Sequence, residues 1–244
     1  MKNPHTLHTS EEPLNIDDVR RDIDAIDAQL ASLIVRRCNL SAAVAHAKRA
    51  GGDTAFGWRP AREVEIARNV VRDQANLDPE LAFAIWRALI SANLAAQGAL
   101  TIFTLDQVSH FAKSAFCVGT MTVVLPEATD VLDAIAKDDH AIGVLPWPNQ
   151  NNWWVEMMEP KYAGLHVCAA SPMMGSQPEV MFVAARSPEA AGEDISLIAG
   201  PLGAFEGGVM AECDGMALVA VGEFIAKGAI LPADCRLIGS FALA

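Results

Sequence analysis

Arg37 stands where a helical rhythm calls for an apolar residue. From Ile16, apolar side chains recur at Val19, Ile23, Ile26, Leu30 and Leu33 in steps of three and four, and Leu40, Val44 and Ala47 continue the series. A guanidinium on that seam needs a reason. Lys48 follows Arg37 by eleven residues, which on a helix is about 20° in bearing and about 16 Å along the axis, so two long cations can converge on one small anion. Arg20 lies on the flank of the same seam, about 26 Å before Arg37 at the same rise. That is too far to reach the ligand of its own chain, but it could reach the ligand of an antiparallel partner. Asn93 and Gln97, four apart, continue the face of Trp86 and Ile90 and add two inward amides. Arg62 and Glu63 share the first turn of a further helix. Cations, amide donors and one carboxyl make a pocket that binds and polarises a small polyanion.

Each of these residues also has an ordinary structural use. Arg37 could snorkel its head to water, Lys48 could simply suit a helix C-terminus, and Glu63 could complement an N-terminal dipole. Arg20 and Arg62 could be surface charges, and Asn93 and Gln97 could serve a helix end. The combination is harder to dismiss, because cations turned inward without a counter-anion are costly.

The elements that must position these groups are helices. Asn15 caps the first, Asp17 and Asp18 suit its opening turn, and nothing breaks it before Gly51-Gly52. Such a rod, about 50 Å long, wants a partner, most simply its own copy. After GGDTAFGW, Pro60 opens a second helix running to about Gln74; Asp78 caps and Pro79 begins a third, ending near Gln97-Gly98. Residues 1–13 read as a loose polar tail without the apolar stretch of a signal peptide.

Composition limits the function classes. The 244 residues are 52% hydrophobic, enough for a real core, and the net charge is −12. The first hundred residues hold 12 Lys and Arg against 13 Asp and Glu, leaving 6 against 17 thereafter, so two domains are expected. An acidic second half and interspersed charges in the first argue against nucleic acid, and no apolar run argues for a membrane span. Five scattered cysteines without a CxxC pair imply neither disulfide framework nor zinc site and fit a reducing cytoplasm. The dispersed histidines give no metal-ligand spacing, and no cofactor is expected.

The pattern VRRDIDAIDAQLASLIVRR, then Lys48, RPARE and a terminal helix ending in Gln97, resembles the all-helical (type II) chorismate mutases over about residues 14–98. The resemblance implies an intertwined homodimer of three-helix domains that converts chorismate to prephenate, each site taking one Arg from the neighbour. Carried over, Arg20 is that visitor and Arg37 binds a substrate carboxylate. Lys48 and Gln97 hold the ether oxygen, and Glu63 meets the ring hydroxyl with Arg62 beside it. Asn93 stands where the best-known pattern has Ser, and Arg59 where it has Asp, which leaves the hydroxyl to Glu63. Two other readings share the scaffold: an isochorismate pyruvate lyase, and a non-catalytic metabolite sensor or regulator, which Arg59 favours.

The second half reads as α/β. Thr101 to Leu105, Met121 to Leu125 and HAIGVLP read as strands, DQVSHFAKSAF and PEATDVLDAIAK as helices, and VMFVAA, ISLIAG, MALVAVGEFI and RLIGSFAL as further strands. This order resembles a shortened prephenate dehydratase over residues 101–200. GVLPWPNQ matches that family's glycine-to-Pro-Glu-Asn-Ser segment with Pro148 in place of the acid. Val180 and Met181 stand where Thr and Arg of its catalytic Thr-Arg-Phe motif are expected, which implies a domain without dehydratase activity over residues 101–244. Trp147, Trp153 and Trp154 read as core before cleft, and GPLGAFEGG as a turn.

Overall fold

The computed structural model describes residues 15–52, 57–74, 76–97, 100–116, 119–172 and 177–242, without the side chains of residues 48, 49, 96 and 97. The tail expected over 1–13 and part of the GGDTAFGW loop lie outside the described residues.

Three helices come first: α1 (Ile16–Ala50), α2 (Pro60–Asp73) and α3 (Pro79–Gln97). Their starts follow from local chemistry. Asn15 Oδ1 accepts the Asp17 amide at 3.0 Å, and Asp78 Oδ1 accepts the Leu81 amide at 2.9 Å, so each cap satisfies a donor with no intrahelical partner. α3 packs against both α1 and α2. The apolar seam of α1 stays uncovered in the single chain. Ile16, Ile23, Ile26, Leu30, Leu33, Leu40 and Val44 are all at least 50% exposed.

The second half is one mixed sheet. Its strands are β1 (Thr101–Leu105), β2 (Met121–Leu125), β3 (Ala141–Pro146), β4 (His166–Ser171), β5 (Val180–Ala184), β6 (Asp194–Pro201), β7 (Gly208–Cys213), β8 (Met216–Val221) and β9 (Arg236–Ala242). They lie in the order β2-β1-β3-β5-β4-β9-β6-β8-β7. The βαβ alternation expected from Thr101 to Pro146 is present, with β2, β1 and β3 pairing in parallel through α4 (Ser109–Ala115) and α5 (Ala128–Ile135). From β3 to β5 onward the pairing is antiparallel, apart from the β4–β9 contact. Short connections account for the antiparallel β4–β5 and β7–β8 pairs, since parallel neighbours need a crossover, whereas β3–β5 and β6–β9 join strands distant in sequence. The helix expected over DQVSHFAKSAF is shorter, a 3-10 turn at Asp106–Val108 leading into α4. β4 approaches β9 closely because Gly239 faces it; a Cβ there would run into the backbone of Val167.

Beyond β3, α6 (Trp153–Glu156) carries Trp153 and Trp154, both fully buried, and the Trp153 indole donates to the Pro146 carbonyl at 2.8 Å. The tryptophans are core, with Trp147 edge-on to Phe241. GPLGAFEGG turns the chain between β6 and β7, with Gly203 at φ +80°.

The two regions meet. α2 packs on β4 and β9. Arg59 binds Glu189 through Nε at 3.0 Å and Nη2 at 2.9 Å, Arg68 Nη1 donates to the Ala191 carbonyl at 2.9 Å, and Arg87 Nη1 reaches Ser171 Oγ at 3.4 Å.

Candidate active site

Arg37 emerges from α1 midway along its length, opposite the first turn of α2 and the last turns of α3. The three helices enclose a cavity of about 170 Å³ into which Arg37, Arg59, Arg62, Glu63 and Asn93 all face. Ser41, one turn beyond Arg37, adds a hydroxyl, and Ile66, Ile90 and Leu94 supply the apolar floor. Arg37, Arg62, Glu63 and Asn93, singled out by their spacing, thus line one space although they come from three helices, and Arg59, pointed to by the family resemblance, joins them from just before α2.

The polar groups are unevenly satisfied. Arg59 is taken by Glu189 and Arg62 by Glu65 at 2.6 Å. Arg37 has no ion pair among the described residues, and its Nη1 is buried without a hydrogen-bond partner. Asn93 Nδ2 is in the same condition. Two buried donors lacking acceptors in one cavity define a place for an anionic oxygen, because each forfeits hydration until something accepts from it.

Among the described residues Glu63 is the one acid lining this cavity, and it also lines a water-sized space behind it with Trp58, Arg87, Phe116 and Phe182. Trp58, Phe116 and Phe182 pack on one another with centroids 5.9 to 6.5 Å apart, so the wall behind Glu63 is a joint product of the helices and the sheet. Burial pushes the Glu63 carboxyl up to about 7, against the pull of Arg87 and Arg186. Burial likewise lowers the Arg87 guanidinium, which Glu63 partly restores.

This has a consequence for stability. The folded state holds the Glu63 proton to a higher pH than the unfolded chain does, so its contribution falls as pH rises from about 4.5 to about 7. The cost above that window is about 3 kcal/mol for a shift of this size. Denaturant unfolding at pH 5 and pH 8 should show wild type losing that much more than Glu63→Gln, which carries no titrating carboxyl. Equal pH dependence in both proteins would remove the buried carboxyl from the account.

The remaining expected residues are placed differently. Arg20 lies near the start of α1, exposed, paired with Asp17 at 3.4 Å and away from the cavity of its own chain. Lys48 sits near the end of α1 and Gln97 ends α3. Their side chains lie outside the described residues. Arg87, Ser41 and Arg186 were not anticipated. Arg87 falls on α3 among residues whose spacing reads as a plain amphipathic face, and the partners that give it meaning, Glu63 and Ser171, are distant in sequence.

Residues 19–98 match the family model described as chorismate mutase type II. No curated protein matches the chain. Among solved structures, one described as "GqqA- a novel type of quorum quenching acylases" aligns over 60% of this chain and 96% of its own, at 10% identity and a TM-score of 0.37, too slight a likeness to carry a fold or a function. The family match supports chorismate mutase-type activity for the helical region, with chorismate as the implied substrate. Among the described residues, no helix is long and apolar enough to cross a membrane.

Proposed function

We propose that this protein is a chorismate mutase that rearranges chorismate to prephenate within the helical domain of residues 14–98, working as a homodimer without a cofactor. The observation that carries this reading is the pair of unpartnered buried donors, Arg37 Nη1 and Asn93 Nδ2, in a cavity that also holds Arg59 and Arg62. Chorismate is a dicarboxylate, and it would supply the acceptors those donors lack. Its rearrangement breaks a C–O bond and forms a C–C bond in one pericyclic step, with no nucleophile and no proton transfer. The protein's task is then to hold the compact chair-like conformer and to stabilise charge growing on the ether oxygen. Arg37 grips a carboxylate as a two-pronged donor. Lys48 and Gln97 serve the ether oxygen, Glu63 meets the ring hydroxyl, and Arg20 enters from the partner. The exposed apolar seam of α1 supports the dimer. Covering such side chains is worth about 1.5 to 3 kcal/mol each when burial is complete.

The sheet region, 101–244, we read as a prephenate dehydratase relic without that activity. Val180 and Met181, where Thr and Arg would act, are fully buried core residues of β5. One observation favours a non-catalytic sensor instead. Arg59, in the place of an acid, is tied to Glu189 and anchors the helices to the sheet. A cytoplasmic location goes with the substrate.

The deciding experiment is purified protein with chorismate, following loss of its absorbance and identifying the product. Prephenate is expected. Isochorismate cleaved to salicylate and pyruvate, with chorismate untouched, would establish the lyase, and binding without turnover would establish the sensor.

A further inference from the structure

Cations are scarce after residue 100, six Lys and Arg against 17 Asp and Glu. Two of the six, Lys227 and Arg236, nevertheless face one cavity of about 320 Å³ together with His166, and no carboxylate among the described residues lines it. The cavity lies where β4 and β9 begin, since His166 is the first residue of one and Arg236 of the other. Arg236 is half-buried and has no acid partner among the described residues. Its donors go to backbone carbonyls, Tyr162 at 2.5 Å and Glu159 and Leu165 at 3.4 Å, and burial lowers its pKa. Lys227 is exposed and makes no ion pair among the described residues. The His166 ring donates from Nδ1 to the Gly164 carbonyl at 3.1 Å, and its proton affinity is reduced by burial first and then by the charges of Lys227 and Arg236. Two cations and an imidazole whose proton affinity they lower therefore share a space in a domain that is otherwise strongly acidic, so an anion placed there would meet favourable charges. Leu231 and Leu237 give the same cavity an apolar side.

We propose that this cavity is a binding site, separate from the helical one, for a small organic carboxylate with an apolar body. Lys227 and Arg236 hold the carboxylate, and Leu231 and Leu237 hold the apolar part. The volume falls at the lower end of the range for small-molecule pockets.

Phenylacetate is a suitable probe and acetate its control, titrated into the full-length protein by calorimetry and by the NMR signals of the His166 ring. Saturable phenylacetate binding is expected, tighter than acetate, with the His166 signals moving in step. Arg37→Ala should leave it unchanged, because the helical site plays no part. Lys227→Glu should weaken it about tenfold or more, the loss of one charge-assisted contact, and Lys227→Ala should weaken it in the same direction. Both variants alter an exposed, unpaired side chain and should melt like wild type. The proposal is overturned if no saturable binding occurs, if acetate binds as tightly as phenylacetate, if binding is undiminished in Lys227→Glu, or if it disappears in Arg37→Ala.

Discussion

Arg37→Ala is expected to lower kcat/KM for chorismate by about a hundred- to a thousandfold, the usual consequence of removing one well-placed donor from a site of this kind. The protein should remain folded. Arg37 contributes no ion pair among the described residues, and its Nη1 is buried without a partner, so truncation removes an unsatisfied buried donor and no contact on which the helices depend. Far-ultraviolet circular dichroism should be unchanged and the melting temperature equal or slightly higher. Such a trade of stability for function is what a pre-formed anion site predicts, because the charge is held ready at a cost until substrate arrives. Near wild-type turnover in the folded variant would remove Arg37 from the site. A collapse of the fold would make it structural.

The helical half was legible because its signals are local. Pro60, the Asp78-Pro79 cap and the interrupted seam around Arg37 each act within one or two turns, and α2 and α3 begin at the first two of those marks while α1 runs unbroken through the third. The convergence of Arg37, Arg62, Glu63 and Asn93 could be anticipated because all four sit on regular helices, where bearing follows from spacing, whereas Arg59 precedes α2 and was pointed to only by the family resemblance. What the sequence does not display is the back of the site. Glu63 owes its raised pKa to burial against Phe116 and Phe182, and it faces Arg87 and Arg186, groups that meet only after the sheet has formed. The same limit applies to the strands. β1 and β2 were readable as short apolar runs between breaks, whereas β4 and β7 were not. HVCAAS is built largely of small residues, and GVMAEC forms a half-exposed edge, so neither presents a strong alternating or β-branched pattern. The parallel-to-antiparallel change after β3 depends on which strands become neighbours, and no single segment encodes that.

The role proposed for Arg20 requires a second copy of the chain. Its guanidinium sits about 26 Å along α1 from Arg37 at the ordinary helical rise, and it is exposed and paired with Asp17. Between the two arginines run Ile23, Ile26, Leu30 and Leu33, all at least half exposed in the single chain, so an antiparallel copy laid on that seam would bring its own Arg20 toward this Arg37. A composite site can be tested by mixing. Arg20→Ala and Arg37→Ala homodimers should each be nearly inactive, because every site in them lacks one cation. Unfolded together in equal amounts and refolded, half of the dimers should be mixed by random pairing. In a mixed dimer one site carries both substitutions and the other carries neither, so activity should return to about a quarter of wild type per site. Native mass spectrometry of differently tagged chains gives the fraction of mixed dimers independently, and recovered activity should scale with that fraction. Mixed dimers formed in the expected proportion with no return of activity would mean that Arg20 does not act across the interface, and each site would then have to be complete within one chain.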